Sequence, residues 1–297
     1  MSVHPVLVVA ALLALAGCAA DGGGAADLAR PFSRDVEARA AEATARLEAS
    51  EPGRTVLAAI DAHGGLGAWY GGGPLRLRYA YVPLDSTGRP APRPPLDTWQ
   101  TVDAWSSRAV HALAADTTVR FGWTGAEAWA TPSAEAVPTD PRFWALTPYY
   151  FVGMPFVLAD PGVRLAAAPP LTVEGRTYAQ TRVTFAPGTG DAPDDYYYLL
   201  TDPETHRVGG VRYVVSYGRP AGETTPETIM LYDGAQTIDG PAGGVVLQEA
   251  FRSFAWDGRG PGAPKARGTV TDAAFRPDTP DAFFATPPGA EVQPDIE

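Results

Sequence analysis

The sequence predicts a mainly β (α+β) protein built from antiparallel strands. Its 297 residues include 32 glycines and 30 prolines, which interrupt the chain too often for a helical bundle. From Leu75 onward, apolar side chains recur at every second position in one segment after another, as in half-buried strands. Several turns between these segments are short, and short turns join antiparallel neighbours.

The composition excludes a disordered chain and argues against a nucleic-acid partner. Hydrophobic residues make up 45% of the sequence, enough to bury a core. Lys and Arg total 23 against 34 Asp and Glu, for a net charge of −11, and Lys265 is the single lysine. A nucleic-acid binder needs a basic face to displace counterions, and no segment supplies one. The sequence has no HExxH, GxSxG, Walker A or CxxC spacing, so no cofactor or metal is expected.

The N-terminus carries the features of a bacterial lipoprotein signal. Residues 6–16 form an apolar run that is long enough for an export signal and too short to span a bilayer. Small residues then precede Cys18, the only cysteine, in the pattern of a lipobox. We expect a signal peptide over residues 1–17, a diacylglycerol on Cys18 and a flexible leash over residues 18–32. An ordinary export signal with an incidental cysteine is the alternative.

The residue after the cysteine bears on the destination of the protein. Ala19 stands where inner-membrane lipoproteins carry a retaining aspartate. We therefore expect a lipid anchor in the outer membrane, with the protein facing the periplasm. Residues 33–297 are expected to form a single domain, because no linker interrupts the strand series.

Two helices are predicted before the first strand. Residues 35–49 place apolar side chains at helical spacing with i,i+4 ion pairs, and Ser33 is the expected N-cap. A second helix is expected over residues 54–62, ending where His63, Gly64 and Gly65 offer a C-cap. A capping role for His63 is favoured over a catalytic one.

About ten strands follow the helices, with a proline-rich loop over residues 86–95. The predicted strands are residues 75–82, 98–105, 109–115, 119–123, 177–185, 196–201, 208–217, 228–233, 245–256 and 268–275. The clearest hairpin turns at Asp202, Pro203, Glu204 and Thr205, and the pair Gly209-Gly210 indicates a bulge.

An apolar insert over residues 143–160 separates the early strands from the late ones. Gly153, Met154 and Pro155 interrupt it, which favours two short helical turns over a strand. An apolar insert in a β protein must bury its side chains against another apolar surface, so we expect it to form a lid over the open face of the sheet.

Aromatic residues concentrate in and before this insert. In a β protein such aromatic residues are most often part of the hydrophobic core. The alternative is that they line a cavity between the curved sheet and the lid. On the cavity hypothesis, the predicted ligand-binding residues are Trp99, Trp105, Trp123, Trp129, Trp144, Tyr149, Tyr150, Phe151, Met154 and Phe156.

One carboxylate cluster, Asp191, Asp194 and Asp195, lies in a loop rich in Gly and Pro. Its oxygens could hold Ca²⁺, although the EF-hand pattern is missing and a solvated turn explains them better.

Several short motifs together resemble the LolA/LolB-like superfamily, and more narrowly an uncharacterised family of envelope lipoproteins within or near it. The resemblance covers about residues 54 to 290. Its markers are the lipobox, His63-Gly64-Gly65 with Trp69, the segment 156–162, the segment 191–197, the Asp202-Pro203-Glu204-Thr205 hairpin, the segment 278–284 and Pro287-Pro288-Gly289. It implies a single curved antiparallel sheet forming an unclosed β-barrel, with helices covering its mouth and an acyl-binding cavity inside. Within this superfamily, the lipoprotein carriers have an arginine at the mouth of the barrel and the lipoprotein receptor has a protruding leucine loop. Neither has a counterpart by motif in this sequence, so the resemblance does not extend to lipoprotein transfer.

These features support one functional hypothesis over two others. The favoured one is a noncatalytic, lipid-anchored envelope protein that binds a hydrophobic ligand or a lipidated partner in a sheet-and-lid cavity. The alternatives are an envelope hydrolase that uses Asp160, Asp191, Asp194 or Asp195 with His63 or His206, and a structural or partner-binding lipoprotein.

Overall fold

A computed structural model describes residues 35–187, 189, 195–219 and 225–294. The predicted signal peptide, Cys18 and the leash lie outside the described residues, as do Asp191 and Asp194. Within the described ranges the helices are α1 (Val36–Glu48), α2 (Glu51–Ala62), α3 (Gly65–Gly71) and α4 (Pro141–Val152). Short 3-10 helices span Ala134–Ala136, Phe156–Ala159 and Asp281–Phe284.

Fifteen strands are found in this part of the chain. They are β1 (Leu75–Pro83), β2 (Leu96–Asp103), β3 (Arg108–Leu113), β4 (Arg120–Trp123), β5 (Ala128–Thr131), β6 (Val163–Val173), β7 (Arg176–Phe185), β8 (Tyr196–Thr201), β9 (Val208–Val214), β10 (Thr228–Asp233), β11 (Gln236–Ile238), β12 (Val245–Leu247), β13 (Ala250–Trp256), β14 (Pro261–Phe275) and β15 (Glu291–Val292).

Thirteen of these strands form one antiparallel sheet in the order β15-β5-β4-β3-β2-β1-β14-β13-β10-β9-β8-β7-β6. Strands β11 and β12 form a separate pair. The two halves of the chain meet where β1 pairs with β14, with Tyr79 opposite Val270. Strands β15 and β6 are the two free edges, so the sheet is not closed. The predicted fold class, an unclosed antiparallel β-barrel with helices at its mouth, is confirmed.

The predicted strands correspond to observed ones, with one division. Residues 245–256 form β12 and β13, which belong to different sheets. Strands β5, β6, β11 and β15 were not predicted. Three of them have four residues or fewer, and β6 is largely exposed and contains Pro169 and Pro170. Proline is tolerated there because β6 is an edge strand, where a missing N–H breaks no ladder bond on the free side. The bulge predicted at Gly209-Gly210 is present, as the β8–β9 register shifts between Leu200 and Thr201.

The N-terminal helices follow the predicted spacing, with different caps. The Oδ1 atom of Asp35 accepts a hydrogen bond from the backbone N–H of Ala38 at 2.8 Å, so Asp35 is the N-cap of α1. The predicted Ser33 cap is therefore wrong, and Ser33 itself lies outside the described residues. Helix α2 begins earlier than predicted because Ser50 caps it and Pro52 occupies its first turn.

The glycines after α2 allow the chain to turn into a helix that was not predicted. The backbone N–H of His63 donates to the carbonyl of Ala59, as the capping interpretation requires. Gly64 then adopts a φ of 114°, and a Cβ there would meet the carbonyl oxygen of Gly244 at 2.2 Å. This turn leads into α3 and places Trp69 in the core.

The main core lies between the inner face of the sheet and the helices. The indole ring of Trp69 stacks on Phe156 with 4.5 Å between ring centroids and 5° between planes. Both side chains are almost completely buried. On the inner face of the sheet, Leu77 and Tyr79 belong to the same cluster. Aromatic residues from α3 and from the predicted insert therefore hold the helices on the sheet.

Candidate functional site

Helix α4 and the short helix after it form the lid that the sequence predicts. Asp140 is the N-cap of α4, and its Oδ1 accepts from the backbone N–H of Phe143 at 3.1 Å. The helix ends before Gly153, and Phe156–Ala159 forms the second turn beyond the predicted break. Proline at position 148 is accommodated inside α4 and is buried.

Side chains from the inner face of the sheet fix this lid at two points. The imidazole Nε2 of His111, on β3, lies 3.0 Å from the carbonyl oxygen of Ala145. Farther along α4, the carbonyl oxygen of Phe151 accepts from the hydroxyl of Tyr232 at 2.8 Å and from Nε2 of Gln248 at 3.1 Å. All three donors come from strands or the turn beside them, so the helix position is set by buried hydrogen bonds.

An apolar pocket of about 270 Å³ lies between α4 and the inner face of the sheet. We call it the inner pocket. Its lining residues are Trp123, Arg142, Phe143, Leu146, Thr147, Tyr150, Phe151, Phe185, Thr189, Asp195, Tyr197, Val215 and Tyr217. The α4 members recur at helical spacing, so one face of the helix forms one wall.

Aromatic contacts connect the helix wall of the inner pocket to the strand wall. The ring of Tyr150 lies 5.1 Å from that of Tyr197, on β8. The rings of Phe143 and Tyr217 are 4.8 Å apart. Because aromatic side chains are large and have few rotamers, they can hold an apolar pocket in a defined shape.

Most of the surface that faces the inner pocket is apolar, although Arg142, Thr147, Thr189 and Asp195 are among the lining residues. Burial raises the pKa of Tyr150 well above its ordinary value, so its hydroxyl is protonated at neutral pH. That hydroxyl is buried and forms no hydrogen bond to any described residue. The carboxylate of Asp195 accepts a hydrogen bond from the Ser216 hydroxyl at 2.8 Å. The Tyr150 hydroxyl is therefore buried in the pocket wall and does not face the pocket, and Asp195 is held by the loop after β9.

The ten predicted ligand-binding residues lie in four different places. Trp123, Tyr150 and Phe151 line the inner pocket. Trp144, Tyr149, Met154 and Phe156 pack in or against the main core on the same side of the sheet. Trp105 contacts Arg39, and its ring lies 6.1 Å from Tyr70. Trp99 and Trp129 lie on the outer face of the sheet.

Strand geometry explains this separation. Alternate side chains of a strand point to opposite faces. Trp99, on β2, and Trp123, on β4, lie opposite Ala112 and Ala109 of β3, which are three positions apart, so the two tryptophans lie on opposite faces of the sheet.

Ten of the thirteen lining residues were not predicted, and four of these lie on α4. The aromatic ones from later in the chain are Phe185 on β7, Tyr197 on β8 and Tyr217 in the loop after β9. The run 196–198 was a usable signal for Tyr197, because an alternating strand must place one of its tyrosines on the inner face.

The carboxylates and histidines proposed for a hydrolase are not brought together. Asp160 forms an ion pair with Arg39 at 3.3 Å. The Nδ1 atom of His63 lies 2.7 Å from the carbonyl oxygen of Ala59, and burial lowers the pKa of His63 to about 4. His206 is exposed in the β8–β9 turn, with a φ of 57°. Among the described residues, neither histidine contacts a carboxylate.

The described ranges contain no group of three or more His, Cys, Asp or Glu side chains placed to hold a metal ion. No helix among them has the length and apolar character needed to cross a membrane.

Comparison with known proteins identifies the fold. No protein-family model and no curated protein matches the sequence. A LolA superfamily protein from Nitrosomonas europaea is similar in structure, with a TM-score of 0.50 at 10% identity, covering 78% of this chain and 97% of that one. A DUF1329 family protein from Desulfovibrio piger gives a TM-score of 0.49 at 9% identity, covering 84% and 97% of the two chains. The resemblance predicted from the sequence is thus confirmed for the fold, which is a LolA-like open β-barrel.

Proposed function

We propose that this protein is a noncatalytic, lipid-anchored envelope protein that binds a hydrophobic ligand, or the acyl group of a lipidated partner, in the inner pocket. The observation that carries the proposal is the pocket itself, whose surface is mostly apolar and comes from α4, from Trp123 and from the strands and loops that follow the lid. Its volume of about 270 Å³ lies just below the usual range of roughly 300–1,000 Å³ for ligand pockets. A pocket of this size suits one hydrocarbon chain or one compact apolar molecule.

The mostly apolar surface of the inner pocket fits the hydrocarbon part of a ligand. An acyl chain would displace water from the aromatic walls. An ionised headgroup would remain toward solvent, because burying an unpaired charge is costly.

Membrane attachment is proposed from the sequence. A diacylglycerol on Cys18, supplemented by an amide-linked acyl chain, would hold the protein at the membrane because each buried CH₂ contributes about 0.8 kcal/mol. Ala19 favours the outer membrane, and the orientation proposed there is toward the periplasm. The Cys18→Ala variant should move from the membrane fraction to the soluble periplasmic fraction. Retention of this variant in the membrane would contradict the anchor.

Ligand binding is tested on the full chain carrying Cys18→Ala, purified without detergent. Organic extraction followed by mass spectrometry should recover an apolar molecule in near-stoichiometric amount. Adding Leu146→Trp fills the inner pocket from α4 and should reduce the recovered amount at least severalfold. Leu171→Trp is the matched control, because Leu171 packs in a separate cluster with Val173 and Tyr178, and it should leave recovery unchanged.

Two results would overturn ligand binding. One is the absence of any extractable molecule together with no binding of an added fatty acid. The other is equal recovery from the Leu146→Trp and control proteins. Either result would favour the structural or partner-binding alternative.

A further inference from the structure

The outer face of the sheet carries a second cavity, away from the inner pocket. The chain leaving β14 crosses the outer face of strands β1 to β4 and encloses a groove of about 790 Å³, which we call the outer groove. Its lining residues are Arg76, Trp99, Thr101, Val110, Ala112, Thr117, Arg120, Phe275, Arg276, Pro277, Asp278, Thr279, Pro280 and Phe283. The groove is therefore formed by segments that are far apart in the sequence.

Three arginines line the outer groove without carboxylate partners. Within the described residues, Arg76, Arg120 and Arg276 form no ion pair, whereas their neighbour Arg78 binds Asp97 at 2.7 Å. Asp278 is the one carboxylate among the lining residues. In a chain with a net charge of −11, this excess of positive charge in one groove is unusual, and it favours an anionic occupant.

Aromatic rings, in place of carboxylates, hold two of these guanidinium groups. The Cζ atom of Arg76 lies 4.3 Å from the centre of the Trp99 ring. The Cζ atom of Arg120 lies 5.5 Å from the Phe283 ring and 5.9 Å from the Trp129 ring. A cation–π contact positions a guanidinium without using its N–H donors. Those donors remain free for phosphate or carboxylate oxygens, which they can bind in bidentate fashion.

The spacing of the arginines indicates an extended ligand. Arg76 lies on β1 and Arg120 on β4, with β2 and β3 between them. Three interstrand steps of about 4.8 Å and an offset of two residues along the strand separate their backbones by roughly 16 Å. Their guanidinium groups lie over different rings, Arg76 over Trp99 and Arg120 beside Phe283. A molecule with two or more anionic groups can reach both arginines.

The floor of the outer groove disfavours a peptide as the ligand. Each of the strands β1, β2, β3 and β4 is paired on both sides, so none offers a free edge for strand addition. Recognition must therefore come from side chains. Trp99 and Phe283 provide aromatic surface beside the guanidinium groups that contact them, and such surface packs against the C–H groups of a sugar ring.

We propose that the outer groove binds a short anionic saccharide that carries at least two phosphate or carboxylate groups. The arginines bind the acidic groups, and the aromatic side chains pack against the sugar rings between them. This site is independent of the inner pocket, because the two cavities share no lining residue and lie on opposite faces of the sheet.

Isothermal titration calorimetry on the full chain carrying Cys18→Ala tests this proposal with two probes, tetragalacturonate and fructose 1,6-bisphosphate. At least one should bind, with an affinity that falls as salt concentration rises. Maltotetraose, which is neutral, and inorganic phosphate, which has a single acidic group, should each bind at least tenfold more weakly. The Arg76→Gln and Arg120→Gln variants should each weaken binding about tenfold. Arg164→Gln removes the same charge from β6, at the opposite edge of the sheet, and should change the affinity less than twofold.

Circular dichroism and thermal unfolding of each variant establish that a lost affinity is not lost folding. Failure of both anionic probes to bind the folded protein would overturn the proposal. Equal losses in Arg76→Gln and Arg164→Gln would also overturn it, because the effect would then come from overall charge and not from the groove. Binding of inorganic phosphate as tightly as the larger probes would replace the saccharide site by a simple anion site.

Discussion

Arg39 and Asp160, which are 121 residues apart in the chain, form an ion pair of 3.3 Å that fastens helix α1 to the end of the lid segment. The Arg39 guanidinium also lies over the rings of Tyr70 and Trp105, with its Cζ atom 4.4 and 4.7 Å from their centres. Burial raises the pKa of Asp160 to about 6, and the neighbouring Arg39 and Tyr70 offset only part of that effect. Helix α1 follows directly on the predicted leash, so this contact joins the N-terminal side of the domain to the lid.

Asp160 should make stability depend on pH in the mildly acidic range. Its pKa is higher in the folded state than its ordinary value of 3.8, so between about pH 4 and 6 the folded protein binds more protons than the unfolded chain. The free energy of unfolding therefore falls as pH rises through this window. Asp160→Asn should remove this contribution, of the order of 1–3 kcal/mol between pH 4 and 7, in urea denaturation. Parallel pH profiles for the two proteins would contradict it.

His111 should have the opposite effect in nearly the same range. It is fully buried, stacks on Phe121 at 4.5 Å, and burial lowers its pKa to about 4. Between about pH 6.5 and 4 the unfolded chain binds the extra proton, so stability is complete above pH 6.5 and is lost as pH falls.

The His111→Asn variant separates this contribution from that of Asp160. It should be less stable at pH 7, because it loses the stacking and the contact with Ala145. Its unfolding free energy should decline less between pH 6.5 and 4 than that of the parent, by up to about 3 kcal/mol. An unchanged pH slope would show that His111 is not held neutral in the folded protein.

Two glycines near the start of α3 should respond in opposite ways to alanine. Gly64 has a φ of 114° and no room for a Cβ, so Gly64→Ala should destabilise the fold by about 1–3 kcal/mol. Gly67 lies in the helix with nothing within 4 Å of a built Cβ, so Gly67→Ala should stabilise it by about 0.5–1 kcal/mol. Thermal unfolding of both variants checks the pair, and similar shifts of the same sign would contradict it.

The Trp69–Phe156 stack should be among the largest single contributions to stability. Phe156→Ala removes a fully buried ring from the centre of the core and should cost about 3–5 kcal/mol. Val292→Ala is a suitable control, since this side chain is 49% exposed and should change stability by less than about 0.5 kcal/mol. Denaturant titration measures both. A loss below 1 kcal/mol for Phe156→Ala would place the stack outside the cooperative core.

Segments with a regular apolar repeat, and the turns and breaks marked by Asp, Gly or Pro, could be predicted from local physics. Alternation from Leu75 to Tyr81 gave β1 because a half-buried strand repeats every two residues. Asp202 marked its turn because its carboxylate accepts from the backbone N–H groups of Glu204 and Thr205. The break between α4 and the next turn was visible in Gly153 and Pro155, which interrupt regular helices.

Only the tertiary structure decided how distant segments meet. The sequence grouped Trp99, Trp123 and Trp129 by proximity, whereas strand pairing sends Trp123 to the inner face and the other two to the outer face. The Arg39–Asp160 pair and the outer groove likewise depend on long-range packing. A local pattern reports the period of one segment and the side it buries. The strand register and the burial of distant surfaces against each other determine which segments share a cavity. Neither can be recognised in any single stretch of sequence.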